Sequence, residues 1–200
     1  MINRRQLLKA GAASIVMSTP LSVVTKIVAE DAITQTPIKV LYDSRFPECK
    51  LFAEQSAKYG SNLCDFSGDV AKLWYEFTSQ GFTGTLAGLT QESDFFLLHQ
   101  MFKERGYRVG YRGEHTYNDS WIEHSLQSSG QVAPILSSIE GSIEGSLKTD
   151  GNKWARRIAD IVVLVDSPNI DSSTIRSKAP LIRPPDSPGH LISWVLLPTV

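Results

Sequence analysis

Arg45, Arg112 and His115, together with the carboxylates Asp43, Asp69 and Glu114, are the side chains whose types and positions suggest chemistry. Each stands at or just beyond the carboxyl end of a short apolar run that reads as a β-strand. Asp43-Ser44-Arg45 follows the first run, Gly68-Asp69 the second, Thr90 the third, and Arg112-Gly113-Glu114-His115 closes the fourth. In open α/β sheets ligands bind beyond the carboxyl ends of the strands, so parallel strands would bring all four sets to one rim. Two chemistries follow. His115 beside Asp43, Asp69 or Glu114 forms an acid–base pair, because a carboxylate orients an imidazole and raises its basicity. Arg45 and Arg112, with Ser44 and Thr90 as hydroxyl partners, suit a small anionic ligand near helix N-termini. If the carboxylates pair with the arginines instead, the rim suits a polar neutral molecule. The competing role for Asp43, Asp69 and Thr90 is capping of the helices that follow.

The remaining polar candidates are weaker. His99 shares a helical face with Phe95, Leu98 and Phe102 and reads as a core histidine. Tyr75 lies off the apolar stripe that holds Trp74 and is free to meet a ligand or partner. His124 and His190 have no clear place, and no spacing supports a metal site built from them with His115. Cys49 and Cys64 match no zinc or haem motif; they either form one disulfide or remain two separate thiols. The G-x-G-x-x-G, Walker, H-E-x-x-H and G-x-S-x-G signatures are absent, so no cofactor is indicated.

The elements that must position these residues alternate. Ile38–Tyr42 reads as a strand, and a helix starts at Pro47 and stops at Gly60. Asn62–Phe66 is a second strand, and the helix carrying Val70, Leu73, Trp74 and Phe77 ends at Gly81. Thr83–Gly88 is a third strand, glycine-rich enough that something must pack closely against it. Thr90 caps the next helix, which Gly106 ends, and Tyr107–Arg112 is the fourth strand. This order predicts a single three-layer α/β domain with a largely parallel sheet and helices on both faces. The second half is less regular. Trp121–Gln127 is a short helix or strand, and the repeated Ser-Ile-Glu-Gly at 138–145 is a loop or interrupted helix. Lys153–Ile158 begins a helix, and Asp160–Val165 is a buried strand or helix end. The proline-rich stretch 166–190 reads as an extended arm, and Leu191–Leu197 as a final strand.

The first residues carry a different message. Arg4-Arg5 precede Leu7, Leu8 and Lys9, and a mildly apolar stretch runs from Ala10 to Met17. This pattern resembles a twin-arginine export signal, which carries folded proteins to the periplasm. It assigns residues 1–29 to the signal, 30–37 to a linker and 38–200 to the domain. The cleavage site is poor, so an uncleaved N-terminal anchor is the alternative. Without the first 29 residues, 16 basic residues face 21 acidic ones, a net charge of −5. A mildly acidic surface disfavours nucleic acid as a partner.

The runs Asp43–Pro47, Gly68–Tyr75, Gly88–Thr90, Gly113–His115 and Ser193–Val195 resemble those of a group of small proteobacterial twin-arginine-exported proteins of undefined activity. The resemblance covers about half the chain and implies no catalytic residues. The leading functional expectation is a periplasmic accessory or binding subunit acting with an exported redox enzyme. The alternatives are a small cofactor-free enzyme using His115 with Asp43, Asp69 or Glu114, and a soluble binding protein that holds a small anionic metabolite through Arg45 and Arg112.

Overall fold

A computed structural model of the chain describes residues 38–128, 154–163, 165, 173–180 and 182–199. The export signal, the linker and the repeat at 138–145 lie outside them. Four strands and three helices alternate through the first part: β1 (Lys39–Tyr42), α1 (Pro47–Ala57), β2 (Asn62–Asp65), α2 (Val70–Gln80), β3 (Leu86–Thr90), α3 (Glu92–Lys103) and β4 (Tyr107–Tyr117). They are followed by β5 (Trp121–Ser128), α4 (Trp154–Val162), β6 (Ser173–Pro180) and β7 (His190–Pro198). The strands form one sheet in the order β2-β1-β3-β7-β4-β5-β6.

Helices cover both faces of this mixed sheet, so the expected three-layer α/β class holds. The parallel part is β2-β1-β3. β7 inserts antiparallel between β3 and β4, and β5 and β6 extend the sheet as an antiparallel meander. β4 therefore runs in the same direction as β1 and β3, but as a neighbour of β7. All seven residues from Leu191 to Leu197 are buried, as expected for a strand covered on both faces.

Local chemistry explains most boundaries. Pro47 opens α1, where a missing N–H costs nothing. The Asp69 carboxylate accepts the Lys72 N–H at 2.9 Å and caps α2, which ends at Gly81 in the left-handed region. On one face, Val70, Leu73 and Phe77 of α2 and Phe95, Leu98 and Phe102 of α3 pack on Leu41, Leu86, Ile192, Trp194 and Leu196. On the other, α1 packs against α4, whose Trp154, Ala155, Ile158 and Ala159 are buried.

The close approach foreshadowed by the glycine-rich third strand is the indole of Trp194. A Cβ at Gly88 would lie 2.5 Å from that ring and 2.7 Å from the Leu41 carbonyl oxygen.

Several boundaries differ from the sequence reading. β3 runs to Thr90, so Thr90 is a strand residue and not the cap of α3; Gln91 holds that position without a side-chain cap bond. β4 continues five residues past Arg112, because β7 and β5 pair with it on both sides, and Gly113, Glu114 and His115 lie within the strand. Where the sequence left two alternatives open, Trp121–Gln127 takes the strand and Asp160–Val162 the helix end, that of α4. The arm expected over 166–190 contains strand β6, which pairs along its whole length with β5. Cys49 and Cys64 are free thiols.

Candidate functional site

β1 and β3 are adjacent, while β2 lies outside β1, so the chain reverses its strand order between β1 and β3. This is the position at which an α/β sheet opens a crevice for ligands. Asp43 sits there, fully buried, and is occupied by Arg45. The Arg45 guanidinium reaches it through Nε at 2.9 and 3.0 Å and Nη2 at 2.5 Å, and the Arg45 backbone N–H donates at 3.0 Å. This bond is the largest cause of the upward shift of the Arg45 pKa. Gly68 makes the arrangement feasible: it lies at φ +80°, and a Cβ there would overlap the guanidinium. Ser44 and Ser67 donate to the Asp65 carboxylate and close the turn. Asp94, in the first turn of α3, has one buried oxygen without a partner, and burial, followed by the Asp43 charge, pushes its carboxyl up.

The other rim candidates do not converge. Thr90 is fully buried and accepts the Trp194 indole N–H at 3.1 Å. Asp69 is a helix cap. Tyr75 is exposed on α2, as its place off the apolar stripe implied.

Successive residues of a strand point to opposite faces, and this separates Glu114 from His115. Arg112, Glu114 and Thr116 face α3. Arg112 pairs with Glu114 at 2.6 Å and Glu92 at 3.5 Å, while Thr116 meets His190 at 2.9 Å. His115 faces the α4 layer. The acid–base pair expected between His115 and Asp43, Asp69 or Glu114 is therefore not assembled: Asp43 is bound to Arg45, Asp69 to a helix end, and Glu114 lies across the sheet.

His115 instead belongs to a buried polar chain drawn from three strands. Its Nε2 meets Ser193 Oγ at 2.8 Å, and its Nδ1 meets His124 Nδ1 at 2.7 Å. Tyr111 Oη meets the same Ser193 oxygen at 3.0 Å. Gly113 leaves room for this cluster, since a Cβ would fall 2.5 Å from both Ser193 Oγ and Tyr111 Oη. Trp154 of α4 covers both imidazoles, with ring centroids 4.4 and 5.1 Å away.

One proton between the two Nδ1 atoms satisfies both neutral rings in complementary tautomers; a second would set two donors against each other. Burial, with the neighbouring His124 and His190, holds His115 well below the usual histidine range, and burial pushes His124 down to about 3. His124 Nε2 is buried without a partner. Beyond Trp154, its indole N–H donates to Tyr117 Oη at 3.0 Å. Glu48 lies beside that hydroxyl, yet neither of its buried carboxylate oxygens has a donor in bonding geometry. Among the described residues no group of three His, Cys, Asp or Glu side chains is arranged to hold a metal ion.

Among the described residues an accessible concavity lies elsewhere, along α3 and β4. Two open clefts of about 580 and 430 Å³ adjoin there, and both are lined by His99 and Val109. The first adds Phe95, Phe96 and Gln100, with Glu92 and Arg112 at its end; the second adds Lys103, Arg108 and Thr199. His99 is thus a half-buried groove wall, not a core residue. Its ring stacks on Phe95 with the planes 3° apart, and burial, then Lys103 and Arg112, holds it below the usual histidine range. Phe96, Lys103 and Arg108 had only a weak signal in the sequence: they lie off the apolar stripe of α3 or at the start of β4, where polar residues are ordinary.

Fold and site together define a mixed-sheet α/β domain with a sealed polar interior and an open lateral groove. No family model, curated protein or solved structure matches the chain.

Proposed function

We propose that this protein is an exported ligand-binding subunit and that the groove between α3 and β4 is its binding surface. The observation that carries this reading is the pair of neighbouring clefts that share His99 and Val109 in their walls. Their volumes fall in the range of small-molecule sites, roughly 300–1,000 Å³, and their walls mix aromatic surface with a few polar groups. The acid–base alternative loses support because its histidine is sealed in the interior and its carboxylates are engaged elsewhere. Arg4-Arg5 and the stretch after them support export. A metabolite panel screened by thermal shift, with hits mapped by amide chemical shifts, tests the proposal. Stabilising compounds should perturb the amides of Phe95–Val109 and lose affinity in Phe96→Ala. Hits that perturb only the β1–β3 rim, or a panel without hits at millimolar concentration, would refute it.

A further inference from the structure

The groove is not electrically uniform. At the start of α3, Arg112 is already neutralised by Glu92 and Glu114, and His190 Nε2 lies 3.5 Å from Glu92. At the far end, Lys103 and Arg108 line the second cleft with Thr199, and neither has a carboxylate partner among the described residues. Between the ends runs the aromatic wall of Phe95, Phe96 and His99.

Resting on the binding role proposed above, we infer that the groove takes a small aromatic anion. Its ring lies on the wall formed by Phe95, Phe96 and His99, and its carboxylate or sulfonate is held between Lys103 and Arg108. Three physical points support this orientation. Two unpaired cations attract an anion and repel an ammonium group, whereas the paired Arg112 has little charge left to offer. Phe96 is 58% exposed, so a flat apolar body covers surface that water otherwise wets. His99, kept neutral, offers a stackable face without adding charge.

The test uses two probes with one ring system and opposite charge, 2-naphthoate and 2-naphthylmethylammonium, titrated into the full chain by calorimetry and amide shifts. Naphthoate should bind along Phe95–Val109, with the ammonium probe at least about tenfold weaker, and added salt should reduce naphthoate affinity. The exposed double variant Lys103→Ala/Arg108→Ala should weaken naphthoate by about tenfold or more, as expected for two lost charge-assisted contacts. Equal or tighter binding of the ammonium probe in the groove would overturn the ligand class while leaving the groove as a binding surface. Unchanged naphthoate affinity in the double variant would do the same. If neither probe reaches the groove, the inference and the binding role proposed for that surface both fall.

Discussion

The sealed histidine pair makes stability depend on pH in a direction set by its burial. His115 and His124 are fully buried, and both imidazoles are held below the usual range of about 6.5, His124 at about 3. Folding therefore requires both rings to be neutral, and the unfolded chain binds protons that the native state refuses. Their contribution is complete above pH 6.5 and is lost as the pH falls from there towards the native pKa. For His124 alone, values of 6.5 unfolded and 3 folded give a loss of about 2 kcal/mol between pH 7 and pH 5. His115, also held well below the usual range, loses stability in the same direction, and the His124 term alone is a sizeable part of the roughly 5–15 kcal/mol that holds a domain together. Two other groups bear on the result. His99 is also shifted down and adds in the same sense, less strongly because it is half-exposed. Asp94 is shifted up, so its contribution is present at low pH and declines as the pH rises, opposing the histidines.

Urea unfolding followed by tryptophan fluorescence at pH 5, 6, 7 and 8, in a His99→Gln/Asp94→Asn background, isolates the pair. Stability should rise from pH 5 to pH 7, with a slope near one proton from His124 at the acid end and a contribution of the same sign from His115. His124→Asn should reduce that slope by about one proton, whatever its effect on absolute stability. Equal stability at pH 5 and pH 7, or imidazole shifts showing either histidine titrating near 6.5 in the native state, would refute the reasoning.

Gly88→Ala should destabilise by about 1–3 kcal/mol or more, because the new methyl meets the Trp194 ring and a backbone carbonyl that cannot yield; an unchanged urea midpoint would contradict this. Arg45→Ala removes the partner of a fully buried carboxylate and should cost about 1–3 kcal/mol, with Asp43→Asn/Arg45→Ala recovering part of the loss in a double-mutant cycle. Asp69→Ala loses the cap of α2 and should cost about 1 kcal/mol, and Asp69→Asn should largely restore it. In the native protein a thiol reagent should modify half-buried Cys64 long before buried Cys49; equal rates would contradict their placement in the fold.

Much of the first half of the domain was legible in the chain. Pro47, Asp69, Gly81 and Gly106 act through local backbone chemistry, so they mark helix ends without tertiary help. Val70, Leu73 and Phe77 repeat with the helical period and identify the buried face of α2. Such signals belong to neighbouring residues, and the sequence displays them directly. The three-layer class followed from the alternation of these elements.

What only the tertiary structure decided concerns partners distant in sequence. β7 pairs with β3 and β4 from about a hundred residues away, and this insertion makes the sheet mixed and extends β4 through His115. Extending the strand is what separated Glu114 from His115, since alternation sends neighbours to opposite faces. It also set His115 between Ser193 and His124, a contact no local pattern foretells. The arginines and the carboxylates two residues from them were visible together, and the local turn at Asp43–Arg45 and the strand spacing of Arg112 and Glu114 decided that each pair closes. Asp43 and Glu114 captured Arg45 and Arg112, while Lys103 and Arg108 were left open at the groove. Residue type and local period thus determined the elements and their ends. Long-range pairing determined which polar groups are sealed in the interior and which stay at the surface, because burial is a property of the assembled sheet.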